Sequence, residues 1–290
     1  MKKSYILALC AILLWSTMAT VSKLLLGSFS SFQVLCVSSL VAFLFLLILC
    51  ICNGKIKLLK DYKPKDYLIT ALIGLPGLFF YYVFYYTGAS MMLASQAFII
   101  NYLWPIMSVV FACIILKEKM TFRKVIAIII SFIGVIIVSG KDLFNFNANF
   151  ILGAVCCVMG AVSYGLFTAL NKKVSYDKTV STMIFYLVTF IICLIINIFD
   201  GRALTLDAYS LPGLIWNGIG PMAIANTLWA LALVNGSTGK ISNLAYITPF
   251  VSLIWTRIFL SEPISLTSVL GLAVIVLGIF VQLFENKKRT

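Results

Sequence analysis

The sequence contains no histidine, and only 11% of its 290 residues are charged. Nine residues are acidic, and each falls in a polar connection or at the end of an apolar run. Histidines and buried carboxylates supply most general acid and base catalysis and many metal sites. Their absence argues against an enzyme, a metal site or a bound cofactor, and against a proton relay built on a buried acid.

Long polar stretches are also missing, because 62% of the residues are hydrophobic and the longest hydrophilic connection covers only about 53–66. A domain that folds on its own usually needs at least about 50 residues. A helix needs about 20 apolar residues to cross a bilayer. The sequence predicts an all-α membrane protein with ten transmembrane helices, at about 4–26, 32–52, 67–87, 92–116, 121–139, 150–171, 179–198, 211–233, 240–260 and 266–284.

The N-terminal stretch does not indicate a cleaved signal peptide, and the cysteines do not indicate a metal site. The N-terminal stretch MKKSYILALCAILLW is not followed by a small-residue cleavage site, which predicts an uncleaved first helix. Eight cysteines lie within or at the ends of apolar runs, without the spacing of a metal site. They are expected to pack inside the helix bundle.

The net charge of +13 does not indicate nucleic-acid binding, because the positions of the basic residues follow the expected membrane topology. If the N-terminus is cytoplasmic, 18 of the 22 Lys and Arg residues fall on the cytoplasmic side, and only Lys23, Lys141, Arg202 and Arg257 do not. Short basic loops are retained in the cytoplasm. Ten spans with both termini cytoplasmic satisfy this rule, and the expected macromolecular environment is the lipid bilayer.

The sequence repeats itself at an offset of 144 residues. NYLWPIMSVVFACIILKEK aligns with AYITPFVSLIWTRIFLSEP, and positions 102–134 contain eight identities, including Pro105 with Pro249 and Glu118 with Glu262. Each half holds five predicted helices, and an odd number forces the second half into the opposite orientation. The prediction is two inverted five-helix repeats, 1–141 and 142–290, a plan typical of secondary transporters.

These motifs carry a family resemblance. ILLWSTMATVSKLL in helix 1, NYLWP in helix 4, its AYITP counterpart and the two glutamates that close helices 4 and 9 resemble the EamA-type drug/metabolite transporters. Within them the sequence is most similar to the YddG-type exporters of aromatic amino acids. The resemblance implies a bacterial inner-membrane exporter whose central cavity is lined by helices 1, 3, 4, 6, 8 and 9.

The NYLWP stretch is the first candidate for the substrate site. Asn101 and Trp104 share a helix face with small residues, which is not expected of a lipid-facing surface. Pro105 and Pro249 are predicted to kink their helices and to free the carbonyls four residues earlier, those of Asn101 and Ala245, as acceptors for a substrate amine. Close packing of small residues, with prolines that only shape the bundle, is the alternative.

The repeat brings aromatic and polar residues of other helices to corresponding positions. At an offset of 149, Trp15 corresponds to Tyr164 and Lys23 to Lys172, and at 144, Tyr82 corresponds to Asn226. Rings with polar tips suit an amphipathic solute. The predicted substrate-binding residues are Trp15, Ser16, Tyr82, Tyr86, Asn101, Trp104, Tyr164, Asn226 and Trp229.

Charged residues near helix ends are the remaining candidates. Lys23 and Lys172 are predicted to lie at the cavity mouths, where one could attract a substrate carboxylate, although both could instead extend to the membrane interface. Glu118 and Glu262 could gate the cavity, but an ion pair at a loop end, such as Glu262 with Arg257, is the favoured interpretation. No catalytic residue is assigned.

The predicted function is export of a small neutral or zwitterionic metabolite by alternating access, with amino acids, aromatic ones among them, as the expected class. A drug or nucleobase exporter is the alternative within transport. A channel or a structural membrane protein is the alternative from another class. The sequence leaves the coupling ion and the oligomeric state open, and a monomer is compatible with it.

Overall fold

The computed structural model describes residues 2–117, 119–144, 147–201, 208–234 and 244–283, and all regular structure within these ranges is helical. The α-helices are α1 (Lys2–Ser16), α2 (Met18–Leu26), α3 (Ser31–Cys52), α4 (Pro64–Gly74), α5 (Tyr81–Met91), α6 (Ala94–Asn101), α7 (Trp104–Ile115), α8 (Phe122–Phe144), α9 (Ala148–Lys173), α10 (Lys178–Phe199), α11 (Ser210–Asn217), α12 (Ala225–Val234), α13 (Thr248–Leu260) and α14 (Leu266–Leu283). We call α1–α8 the N-terminal half and α9–α14 the C-terminal half.

Apolar helices long enough to cross a membrane make up most of the described chain. Seven such spans are present, namely Lys3–Leu26, Ser31–Cys52, Pro64–Met91, Ala94–Ile115, Phe122–Ser139, Ala148–Lys173 and Lys178–Phe199. Two shorter apolar helices, Ala245–Leu260 and Leu266–Gly278, follow in the C-terminal half. The prediction of an all-α membrane protein is confirmed, whereas the count of ten spans stays a prediction.

Several spans are interrupted, and the interruptions in the two halves correspond. Between α6 and α7 the chain makes a turn at Tyr102 and Leu103, and Pro105 lies in the first turn of α7. In the C-terminal half a 3₁₀ turn, Ala245–Ile247, precedes α13, whose first turn contains Pro249. Proline is tolerated in a first helical turn because the N–H groups there have no intrahelical partner.

A second pair of interruptions is π-helical and was not anticipated from the sequence. Leu75–Phe80 joins α4 to α5, and Gly218–Ile224 joins α11 to α12. The two segments correspond at the repeat offset of 144 residues, and each contains a proline, Pro76 and Pro221. The wide π turn often occurs at functional sites because it changes the direction of side chains and alters the backbone hydrogen-bond pattern.

Helices α8 and α14 pack along each other through small residues. A methyl group on Gly134 would lie 2.8 Å from the carbonyl oxygen of Gly271, and a methyl group on Gly278 would lie 2.7 Å from that of Ala127. Ser131 donates a hydrogen bond to the Ile275 carbonyl over 3.4 Å. Along this contact the residue numbers rise on α8 while they fall on α14, so the two helices are antiparallel.

The repeat offset of 144 residues converts one of these contacts between α8 and α14 into the other. Adding 144 to Gly134 and Ala127 gives Gly278 and Gly271, so each contact is the copy of the other. Mutual exchange of contacts is the sign of a two-fold relation between packed elements. The pair α5 and α9 corresponds in the same way to the pair α12 and α1, because Gly88 maps to Ala232 at an offset of 144 and Cys157 maps to Ala8 at an offset of 149.

Candidate functional site

A cavity lies where α1, α2, α5, α6, α7, α9, α12 and α13 meet. It is lined by Trp15, Met18, Tyr81, Tyr82, Phe98, Asn101, Tyr102, Trp104, Tyr164, Asn226 and Thr248. Both halves contribute to this central cavity, and among the described residues that line it none is charged. Small-molecule sites are typically lined by apolar and aromatic side chains with a few polar groups, and this lining suits a neutral or aromatic solute.

The aromatic wall of the central cavity is centred on Tyr164 of α9. The Tyr164 ring lies 4.8 Å from the ring of Tyr81 and 5.1 Å from that of Trp104, measured between centroids. Trp104 in turn packs edge-on at 6.0 Å against Tyr102. Such tilted and edge-to-face contacts fix ring positions, so the wall is held in shape by its own members.

Asn101 is positioned by the helix break and by a close helix contact. It ends α6, and its Nδ2 donates a hydrogen bond to the carbonyl of Cys157 in α9 over 3.1 Å. The amide fits there because Gly160 has no side chain, since a methyl group at that position would lie 2.8 Å from Nδ2. Asn101 therefore joins the two halves in addition to lining the cavity.

Asn226 is held by the π-helical segment of the C-terminal half. Its Nδ2 donates to the Met222 carbonyl over 2.6 Å and to the hydroxyl of Tyr186 over 3.1 Å. Tyr186 also donates to the Met222 carbonyl, over 3.1 Å. The Met222 carbonyl thus accepts two side-chain hydrogen bonds, and both N–H groups of Asn226 are used within the protein.

Tyr102 connects the two helix breaks. Its hydroxyl donates a hydrogen bond to the carbonyl of Ala245, the residue four positions before Pro249. The sequence predicted that this carbonyl would be available to a substrate amine. In the structure Tyr102 already occupies it, because the two proline-containing breaks approach each other at the centre of the bundle.

Six of the nine predicted substrate-binding residues line the central cavity: Trp15, Tyr82, Asn101, Trp104, Tyr164 and Asn226. The other three have structural contacts beside it. Ser16 donates to the Leu13 carbonyl and accepts from the Trp255 indole, at 2.7 and 3.0 Å. The Tyr86 hydroxyl accepts from Asn217 at 2.7 Å, and the Trp229 ring packs 5.2 Å from that of Trp15.

The structure adds five lining residues that the sequence reasoning missed: Met18, Tyr81, Phe98, Tyr102 and Thr248. Helical spacing contained a signal for two of them, because Met18 follows Trp15 by three residues and Phe98 precedes Asn101 by three. Thr248 corresponds to Trp104 in the repeat. The shared face and the repeat could therefore have identified these three.

The two predicted mouth lysines lie outside the central cavity. Lys23 donates to the carbonyls of Ala89 and Met92 at the end of α5, over 2.7 and 2.6 Å. Lys172 is exposed near the end of α9. Lys23 therefore binds backbone carbonyls beside a second, open cavity, which it lines together with Gln96 and Phe150.

Glu262 connects the halves at the end of the bundle where Lys23 lies. One carboxylate oxygen accepts from the Ala94 N–H over 2.6 Å, and the other accepts from the N–H and hydroxyl of Ser95 over 3.0 and 2.7 Å. A carboxylate at a helix N-terminus is stabilised by the unpaired N–H groups there. The expected ion pair with Arg257 is replaced by this cap of α6, while Glu118 lies outside the described residues.

Comparison with known proteins shows which family shares this architecture. The profile of the EamA-like transporter family matches residues 2–140 and 151–284. An uncharacterized transporter of Clostridium kluyveri is 27% identical, over 99% of this chain and 95% of its own length. A solved crystal structure, 21% identical, superposes with a TM-score of 0.72 over 97% of this chain and 96% of its own.

The names of two relatives state a substrate. The aromatic amino acid exporter YddG of Ancylobacter novellus is 22% identical over 62% of this chain and 63% of its own length. The S-adenosylmethionine uptake transporter of Rickettsia bellii is 23% identical over 44% of this chain and 41% of its own length. The two names differ in substrate and in direction of transport.

Proposed function

This chain belongs to the EamA-like transporter family, and from that premise we propose that it is a secondary transporter that exports an amino acid, aromatic ones in particular, by alternating access. The observation that carries the proposal is the uncharged aromatic cavity built from both halves. A site at the interface of two repeats is the usual place for a carried solute.

The substrate class is supported by what the named substrates of the relatives have in common. Aromatic amino acids and S-adenosylmethionine share a flat aromatic ring system and an α-amino acid group. Trp104, Tyr164 and Tyr81 offer ring faces for the first of these features. Asn101 and Asn226 offer amide groups for the second.

Alternating access requires contacts between the halves that can form on one side while they open on the other. The Glu262 carboxylate makes such a contact, since Glu262 lies just after α13 in the C-terminal half but caps α6 of the N-terminal half. Glu118 is its counterpart in the repeat. We propose that rocking of the halves breaks the Glu262 contact when the cavity opens on that side.

The proposed topology is ten spans in a bacterial inner membrane, with both termini cytoplasmic and the two repeats, 1–141 and 142–290, inverted. The antiparallel packing of α8 and α14 supports inversion, because these helices correspond in the repeat. Reporter fusions test it. A C-terminal fusion reporting from the outer side, together with an N-terminal fusion reporting from the cytoplasm, would give an odd number of spans and exclude the inverted plan.

Transport is tested with purified protein in proteoliposomes. Counterflow of labelled tryptophan is expected to be saturable in the parent protein and to fall at least tenfold in Trp104→Ala and Asn101→Ala. Leu152→Ala, which alters an exposed apolar residue of α9, is the control. Parent-level flux in both cavity variants would exclude this site, and non-saturable flux without counterflow would favour a channel or a structural protein.

A drug or nucleobase exporter is the second candidate, because an uncharged aromatic cavity also suits a flat neutral ring. Competition separates the two. If unlabelled nucleobases or neutral aromatic drugs inhibit at lower concentrations than amino acids, the second candidate is correct. If amino acids are the better inhibitors, the first is supported.

A further inference from the structure

The orientations of the two asparagine amides in the central cavity are fixed by their partners. The Nδ2 atom of Asn101 faces the Cys157 carbonyl at 3.1 Å, and that of Asn226 faces the Met222 carbonyl at 2.6 Å. A carbonyl oxygen can only accept a hydrogen bond. A flipped amide would place two acceptors against each other, so in both residues the nitrogen must face the backbone.

The Oδ1 atoms are consequently the part of each amide that is left for a ligand. Within the described residues, neither oxygen accepts a hydrogen bond. Neither oxygen is a fully buried polar atom that lacks a partner. Both asparagines line the central cavity. The cavity therefore presents two amide oxygens, one from each half, and each can only accept.

Two potential donors in the cavity wall are already used within the protein. The Trp15 indole N–H donates to the Pro221 carbonyl over 3.1 Å, and the Tyr102 hydroxyl donates to the Ala245 carbonyl. The cavity retains neutral donors such as the hydroxyls of Tyr81 and Tyr164, but none of its described lining residues is a cation. A buried carboxylate without a cationic partner is costly.

An ammonium group, unlike a carboxylate, finds suitable partners in the same cavity. It is a pure donor and matches the Oδ1 atoms of Asn101 and Asn226. The ring faces of Trp104 and Tyr164 carry negative charge density, which attracts cations within about 6 Å of a ring centroid. The lining thus offers an ammonium group amide acceptors and ring faces, whereas a carboxylate finds only neutral donors and no cation.

We propose that the central cavity selects its substrate by the ammonium group and the aromatic ring, with little contribution from the carboxylate. The substrate class is then aromatic amines, of which aromatic amino acids are one part. This inference rests on the proposed function, because it assumes that an aromatic solute binds in this cavity.

Four indole compounds test the proposal on the full chain in detergent, with affinity measured by calorimetry or by thermal stabilisation. These are tryptophan, tryptamine (no carboxylate), indole-3-propionate (no amine) and indole. Tryptamine is expected to bind within about threefold of tryptophan or more tightly, and indole-3-propionate at least tenfold more weakly. Indole-3-propionate binding as tightly as tryptamine, or tryptophan binding tenfold more tightly than tryptamine, would overturn the proposal.

The failure of this inference is distinguishable from failure of the proposed function. If none of the four indoles binds, the aromatic substrate class itself is excluded, and the inference falls with it. If they bind in another order, only amine selection is excluded. The comparison uses the unaltered protein, so its outcome does not depend on whether a variant folds.

A substitution tests whether the amide oxygens are responsible for the selectivity for the amine. Asn226→Leu keeps the size of the side chain and removes the acceptor, and it is expected to weaken tryptamine about tenfold while changing indole less than twofold, because a hydrogen bond to a charged group is lost. The matched control is Asn197→Leu in α10, whose amide binds the carbonyls of Phe32 and Cys193 away from the cavity. Equal loss of tryptamine and indole in Asn226→Leu would contradict the assignment.

Discussion

The tyrosine of NYLWP and its counterpart in AYITP are identical residues with different contacts. Tyr102 donates a hydrogen bond to the Ala245 carbonyl, whereas the Tyr246 hydroxyl makes no hydrogen bond within the described part of the chain. Tyr246 packs its ring 6.0 Å from that of Phe280. Repeated residues can therefore share an architectural position and still differ in what they stabilise.

Removing one hydroxyl from this pair tests the difference. Tyr102→Phe removes the side-chain hydrogen bond to the buried Ala245 carbonyl, which still accepts from the Thr248 N–H, and the loss of one such bond costs about 0.5–1.5 kcal/mol. The variant is expected to have a lower Tm in detergent. Tyr246→Phe is the matched control and is expected to unfold at the parent temperature. Equal Tm values for the two variants would show that the Tyr102 bond does not stabilise the contact between halves.

The candidate site was predictable to the extent that single residues carry local signals. Asn101 and Trp104 were identified because an amide and an indole are unusual on an apolar helix face beside a proline. Tyr86 is predicted with Tyr82 because the two share a helix face, and only the structure shows that Tyr86 lies beside the central cavity with its hydroxyl bonded to Asn217. Spacing along a helix reveals which residues share a face and not what that face meets.

At the level of elements, the proline breaks were predictable and the π segments were not. A proline removes an N–H and so marks the break between α6 and α7 in the sequence itself. The segments Leu75–Phe80 and Gly218–Ile224 depend on which carbonyl each N–H binds. Pro76 and Pro221 mark an interruption in each segment, but neither proline nor hydropathy specifies the shift in hydrogen-bond register that makes the turn π-helical.

The cap of α6 was missed for a related reason, since Glu262 and Ala94 are 168 residues apart. Glu262→Gln is expected to destabilise the contact by about 1–2 kcal/mol, because it removes the charge that favours a helix N-terminus. The amide also turns an NH₂ group toward one of the N–H donors. A lower Tm and easier opening at this end of the bundle should follow.

Opening is measured by labelling a cysteine at Thr248, in the central cavity, with an impermeant maleimide added from the Glu262 side. The native cysteines are first replaced. Labelling is expected to be several-fold faster with Glu262→Gln than without it. Ser95→Ala, which removes one of the three hydrogen bonds, should have a smaller effect. Unchanged labelling in Glu262→Gln would contradict a role in closure.

An ion pair outside the membrane-spanning segments joins the 3₁₀ turn Lys55–Asp61 to the start of α10. Lys55 Nζ lies 2.8 Å from Asp177 Oδ2, and Asp177 Oδ1 accepts from the Thr179 N–H over 2.9 Å. Burial of Asp177 favours its protonated form, but the hydrogen bonds from Lys55, Val180 and Thr179 outweigh burial. They hold the pKa of Asp177 below its usual value of 3.8.

The lowered pKa predicts how the pair responds to pH. The unfolded chain binds a proton at Asp177 more readily than the folded chain, so the stabilisation is present above pH 3.8 and is lost as the pH falls through the folded pKa. Asp177→Asn should lower Tm at pH 7 and have little effect at the lowest pH the protein tolerates. Asp61→Asn, at an exposed position, is expected to be neutral at both pH values. A difference that grows at low pH would contradict this explanation.

For the whole molecule, the repeat of 144 residues is the sequence signal with the most counterparts in the structure. The offset of 144 residues is visible in eight identities over positions 102–134, and the structure shows corresponding breaks, π segments and α8–α14 contacts at that offset. What the repeat could not supply is the asymmetry of the cavity. Trp104 and Thr248 correspond, yet one is a large ring and the other a small hydroxyl, so the two halves line the cavity with different surfaces.

The symmetry of the α8 and α14 contact gives a last prediction. Gly134→Ala and Gly278→Ala each place a methyl group within 2.8 Å of a carbonyl oxygen on the facing helix, and each is expected to cost about 1–3 kcal/mol through overpacking. The double variant should cost less than the sum, because the first methyl group already separates the helices at their shared contact. Thermal unfolding in detergent measures all three, with Gly220→Ala as the control, since its nearest neighbour would lie 3.4 Å away. If one of the two glycines tolerated alanine at no cost, the two copies of the contact would not be equivalent, and α8 and α14 would not be the symmetric pair about which the halves are related.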